Sequence, residues 1–86
     1  MMKKLVEEVS DECLIKLMGQ RVTFFCMNYI YTGTLIGVND LDVLLIDASI
    51  VYETGELNTG TWKDAQALPN DLYIKLSAVE SYMVLK

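Results

Sequence analysis

Histidine is absent from the sequence, and with it go the commonest general base and the commonest nitrogen ligand for metals. No hydroxyl or thiol stands beside an obvious base, and no glycine-rich phosphate loop occurs. An enzyme is therefore not expected, nor a cofactor. Asp40, Asp42 and Asp47 come nearest to a cation-binding run, but a turn followed by a strand sets them on different sides, whereas a hard cation needs several convergent oxygens. They read as solvated turn acids, and no metal site is expected.

Cysteine is equally sparse. Cys13 and Cys26 are the only two, and in a reducing compartment they read as small buried hydrophobes rather than a disulfide or redox pair. Long hydrophobic runs are missing too. The most apolar stretch, Val43 to Ile46, is closed by Asp42 and Asp47, far short of the roughly 20 uncharged residues that span a bilayer. Met1-Met2-Lys3-Lys4 imitates the start of a signal peptide, yet Glu7 and Glu8 follow before an apolar segment develops. A soluble, cytoplasmic protein with no membrane association is expected. Basic residues are few, seven against twelve acids for a net charge of −5. That balance opposes non-specific attraction to phosphate backbones, so any anion site has to be local.

What the chain does have is apolar surface. Hydrophobic residues make up 52% of 86 residues, while a domain this small removes only roughly 60 to 65% of its unfolded surface from water. The surplus has to be hidden elsewhere, and self-association is the economical way to hide it.

The hydrophobic pattern changes period along the chain. Leu5, Val6, Val9, Cys13, Leu14, Leu17 and Met18 recur at helical spacing with one face turned to the core. Ser10 is a good N-cap, with Asp11 and Glu12 in the first turn and Glu12 paired four residues on with Lys16. The helix is expected over about residues 11–18, ended by Gly19 in the left-handed conformation. From Val22 the residues become β-branched and aromatic, with Val22, Phe24 and Cys26 on one face. Asn28-Tyr29 is a turn, and Ile30 to Val38 a second strand whose glycines at 33 and 37 share a face with Tyr31 and Leu35, which lets a short sheet curl. Asn39-Asp40 turns into a third strand, Val43 to Tyr52. The segment from Thr54 to Asp71 holds Thr-Gly, Asn-Thr-Gly and Pro-Asn signals and reads as a long loop, its tip a candidate hairpin extension. Leu72 to Leu76 and Glu80 to Leu85 close the chain as two strands around Ser77-Ala78-Val79.

Several of these pieces resemble the Sm-like family. Leu14-Ile15-Lys16-Leu17-Met18-Gly19-Gln20-Arg21-Val22-Thr23-Phe24 is similar to the family's helix end and first strand. Tyr31-Thr32-Gly33-Thr34-Leu35-Ile36-Gly37-Val38 resembles the middle of its first motif, and Asp47-Ala48 the polar exit of the third strand. Ile74-Lys75-Leu76-Ser77-Ala78-Val79 resembles the second motif, usually isoleucine, arginine, glycine, two small polar residues and valine. The match covers roughly Leu14 to Leu85. It implies a single mainly β domain over 1–86: an N-terminal α-helix, then from about residue 20 a strongly bent five-stranded antiparallel sheet forming an SH3-like open barrel. It also implies a homo-oligomeric ring in which the fourth strand of one subunit pairs with the fifth of the next, with Leu72, Ile74, Leu76, Tyr82, Met83, Val84 and Leu85 at the interface. Independently, a closed ring would pair every exposed strand edge and bury the surplus apolar surface.

By the same resemblance the ring binds nucleic acid, single-stranded RNA or DNA, in RNA or DNA processing. Counted from Gly33, the family's uracil-pocket aspartate, aromatic and asparagine fall at Asn39, Leu41 and Val43. Asn39 can still form hydrogen bonds, but Leu41 offers no flat ring and Val43 cannot read a base edge. Lys75 keeps the second motif's charge, while Leu76 adds bulk in place of its glycine. Asn39, Leu41 and Lys75 are the expected binding site, with Lys75 almost as readily packing or pairing with an acid across the subunit boundary. Trp62, beside Lys63, is either a stacking platform or an anchor for its loop. Arg21, Lys16 and Lys3-Lys4 could form a basic rim, weakened by Glu7, Glu8 and Glu12. Two competing readings stand beside this one. The first is a structural or protein-interaction ring that has lost the uracil pocket. The other is a monomeric SH3-like adaptor with an aromatic peptide groove.

Overall fold

The computed structural model describes residues 4–6 and 13–86. Element α1 is one helical turn, Cys13–Lys16, followed by a turn through Leu17 to Gly19. The expected cap at Ser10 and the acids at 11 and 12 lie outside the described residues. The helix stops two residues earlier than its periodicity suggests. Gly19 takes φ +87°, a conformation that only glycine adopts cheaply, and its N–H donates to Leu35 O at 2.7 Å while Leu35 N–H donates to Gln20 O at 3.0 Å. Tertiary bonding to a strand thus replaces the next helical turn. Leu14 is buried and Leu17 packs on the same core. Leu5 and Val6, counted on that apolar face by spacing, are exposed.

The rest is a six-stranded antiparallel sheet: β1 Arg21–Cys26, β2 Ile30–Val38, β3 Asp42–Glu53, β4 Asp64–Ala67, β5 Leu72–Lys75 and β6 Val79–Val84. The ladder runs β4-β3-β2-β1-β6, and β5 also pairs β3. Two ladder partners therefore share one edge of β3, β5 along Asp42 to Leu45 and β4 along Ser49 to Glu53. Leu68 N–H, bonded to Ala48 O at 2.8 Å, carries the chain between them. The ladder does not close, because among the described residues β6 pairs only β1 and β4 pairs only β3.

Strand β4 corrects the expected loop. Its sequence, Asp-Ala-Gln-Ala, has neither the β-branched residues nor the apolar alternation of a strand, and all four residues are exposed. It is extended because β3 offers it an unpaired edge, which no local pattern reports. The connection without regular structure before it is 54–63 rather than 54–71. The turn expected at Ser77-Ala78-Val79 is a 3-10 turn at Leu76–Ala78, one residue earlier.

Strand β3 bends midway. Asp47 sits at φ +49°, in the left-handed region that aspartate tolerates better than most side chains. Arg21 Nη1 donates to Asp47 O at 2.8 Å and holds the bend. On one side of the sheet Val22, Phe24, Leu35, Val43, Leu45, Ala48 and Ile74 form the core with Leu14. Gly33 in β2 leaves no room for a side chain against β3: a Cβ there would lie 2.9 Å from Leu45 Cβ and 3.1 Å from Ile46 O.

The opposite side of the sheet is covered as well. Thr23 and Thr32 face each other across the β1–β2 ladder, both with no exposed surface, and their hydroxyls are 3.3 Å apart. No helix among the described residues is long and apolar enough to cross a membrane.

Candidate binding rim and aromatic groove

The β2–β3 turn is built by Asn39, whose Oδ1 accepts the N–H groups of Leu41 at 2.8 Å and Asp42 at 2.7 Å. Asparagine suits such a turn because its side chain mimics a backbone acceptor. The bonded turn lifts Leu41 into solvent, 71% exposed. Opposite it, Leu76 N–H donates to Leu41 O at 2.9 Å, tying the turn to the end of β5. Lys75 stands directly across from Asp42 in the ladder, and their charged groups are 3.2 Å apart. Asn39, Leu41 and Lys75 therefore share one rim. Val43 does not join them, being wholly buried in the core. The acid that takes Lys75 belongs to its own chain.

Next to the rim lies a groove of about 250 Å³ between the β1–β2 turn and β5. Tyr29, Tyr31, Tyr73 and Lys75 line it, with Cys26 and Ile74 deeper. Tyr29 and Tyr31 are a tilted pair, ring centroids 6.2 Å apart. Alternation along β5 sends Ile74 into the core and leaves Tyr73 and Lys75 exposed on the other side. A second hollow, bordered by Asn39, Asp42 and Tyr73, sits on the far side of Tyr73, so this ring stands between the two. The tyrosines were not among the expected site residues. Tyr73 and Lys75 at strand spacing was the available signal, but nothing local links them to Tyr29 across the sheet.

Charge in the groove is low. Burial, then the nearby charge of Glu80, pushes the Cys26 thiol pKa up. Burial first, then Cys26 and Tyr29, raises that of the Tyr31 phenol. Both groups are therefore neutral near pH 7, leaving the paired Lys75 as the cation lining the groove.

Trp62 is elsewhere. It precedes β4 and lies toward the Glu53 end of β3, whereas Lys75 sits at the Asp42 end. The cation over its ring is Lys86, 4.4 Å from the centroid, while neighbouring Lys63 pairs with Glu53 at 3.3 Å. Arg21, expected on a basic rim, is committed to Asp47 O, and Lys3 lies outside the described residues.

The seven residues expected at a subunit interface divide by position. Ile74 belongs to the core of its own protomer, and Leu72, Leu76 and Tyr82 pack against that core. Leu85 is half-buried, while Met83 and Val84 are exposed. Apolarity read as surplus in β5 is thus partly used within the chain. The main-chain edges of β5 and β6 remain without a described ladder partner on one side. Among the described residues no cluster of three Cys, Asp or Glu side chains could hold a metal ion. No family model matches the chain, and no curated protein or solved structure matches it.

Proposed function

We propose that the protein is an Sm-like subunit whose bent sheet is an SH3-like open barrel. It assembles into a homo-oligomeric ring through its sheet edges and binds single-stranded nucleic acid in RNA or DNA processing, without catalysis. The observation that carries this reading is the open ladder, with β4 and β5 at one edge and β6 at the other. Unpaired edges flanked by exposed Tyr73, Met83 and Val84 favour addition of a strand from another copy. At the rim, Lys75 supplies a phosphate contact and the Asn39 turn supplies polar groups. Tyr29 and Tyr73 in the adjoining groove provide ring faces, in place of Leu41, on which bases stack.

A second reading is a ring that binds protein instead. The Lys75–Asp42 pair favours it, because a phosphate has to displace a carboxylate already in place. One experiment separates them: titration of short fluorescent RNA and DNA strands across a salt series, with oligomer mass measured by light scattering. The nucleic-acid reading requires affinity that falls with salt, and a salt slope that is shallower by about one in Lys75→Ala. A ring without binding at low salt supports the protein-interaction reading. A lone 9.7 kDa species removes both.

A further inference from the structure

Lys86 is held at both ends by one loop. Its ammonium donates to Glu56 O at 2.7 Å, to Thr59 Oγ1 at 3.3 Å and to Thr61 O, and it lies 4.4 Å from the centroid of the Trp62 indole. Its main-chain oxygen accepts from Trp62 Nε1 at 3.1 Å and from the Thr32 hydroxyl. The same indole thus takes the cation on its face and the carbonyl on its N–H edge. Three acceptor oxygens meet the three donors of an alkylammonium, a fit that the planar fork of a guanidinium does not reproduce. The cage is folded by its own residues. Thr59 Oγ1 is 3.0 Å from Glu56 O and 3.1 Å from Thr61 O, so two of the acceptors are gathered around the third.

The two partners come from opposite ends of the open ladder. The cage directly precedes β4 at one edge, and Lys86 follows β6 at the other. Between them lies the threonine face, with Lys86 O bonded to Thr32 and Thr32 facing Thr23. A flat sheet would hold these elements apart.

We propose that the Glu56–Trp62 loop is a binding site for a primary alkylammonium group, occupied by the chain's own Lys86, and that the occupied site is a clasp fastening the two sheet edges over the threonine face. The clasp depends on the lysine charge, since the cation–π contact and the carbonyl bonds both need the ammonium. Loss of that charge empties the loop, and competition by another lysine-like ammonium displaces Lys86 from it; either releases the clasp over the threonine pair.

Trp62 is the one tryptophan in the sequence and reports on the site directly. Acrylamide quenching of its emission is expected to rise about threefold in Lys86→Ala, because the ring loses its covering side chain. Addition of n-butylammonium chloride to that variant is expected to restore native quenching, with an affinity on the order of millimolar for so small a ligand. Sodium chloride at equal ionic strength and n-butanol at equal concentration are expected to restore nothing. Native quenching in the variant overturns the proposal. So does failure of butylammonium to restore it, or equal rescue by the salt or the alcohol. Should far-UV circular dichroism show the variant unfolded, the native chain supplies the test. A caged ammonium yields one lysine 1H–15N resonance protected from exchange in cold, mildly acidic buffer, and its absence from the folded protein overturns the clasp. Neither readout depends on ring assembly or on nucleic acid.

Discussion

The Lys75 ammonium lies 3.2 Å from the Asp42 carboxylate across one rung of the β3–β5 ladder. The lysine side chain is mostly exposed and the aspartate largely covered, so the pair contributes little to stability, at most about 1 kcal/mol after screening by solvent. On the proposed nucleic-acid reading the pair also bears on binding, because a phosphate drawn to Lys75 would have to displace the Asp42 carboxylate.

Asp42→Asn is therefore expected to leave the turn intact and free Lys75. Affinity for a short single strand at low salt should rise about fivefold, the equivalent of roughly 1 kcal/mol. Fluorescence anisotropy measures this, and weaker binding in the variant would show that Asp42 assists the ligand instead of competing with it.

Gly33→Ala is expected to destabilise the fold by about 1–3 kcal/mol, as overpacking does in a tightly packed core. The new methyl meets Leu45 Cβ at 2.9 Å and the main-chain oxygen of Ile46 at 3.1 Å, and neither is the far end of a flexible side chain. The cost should appear as a lower urea midpoint with an unchanged slope. A midpoint equal to that of the parent would show that β2 and β3 are farther apart in solution.

Cys26 makes a prediction about pH. Its folded-state pKa is raised by burial and then by Glu80, so folding favours the neutral thiol. Its stability contribution is complete below the ordinary cysteine pKa and is lost as pH rises through the higher folded value. Iodoacetamide should accordingly modify Cys26 at pH 8 about tenfold more slowly than a free small thiol. In Cys26→Ala, the part of the alkaline stability loss that begins just above the ordinary cysteine pKa should disappear. The Tyr31 phenol is raised mainly by burial and in smaller part by Cys26, so the decline that begins above the ordinary tyrosine pKa should persist, somewhat reduced. Mass spectrometry and urea titrations across the pH series give both answers.

Much of the strand pattern was legible because alternation is local. Val22, Phe24, Leu35, Val43 and Leu45 face the core because every second residue of a strand points the same way. β2 keeps its expected bounds, and the Asn39 turn and left-handed Gly19 follow from side-chain chemistry that acts within three residues. The helix was less legible, since Gly19 and Leu35 compete for it through long-range bonds. Nothing local places Lys75 beside the Asn39 turn, because the β3–β5 pairing that joins them is long-range. Tyr29 and Tyr73 had no such guide.

By itself the sequence determined the alternation of the strands, the tight turns and the missing histidine chemistry, all of which depend on residue type and near neighbours. Tertiary structure alone decided that Asp-Ala-Gln-Ala would be a strand, that Ile74 would serve its own core, and that Trp62 would close on Lys86. Those outcomes depend on which edge, face or ammonium a distant segment presents once the sheet has bent at Asp47, and chain order does not encode that distance.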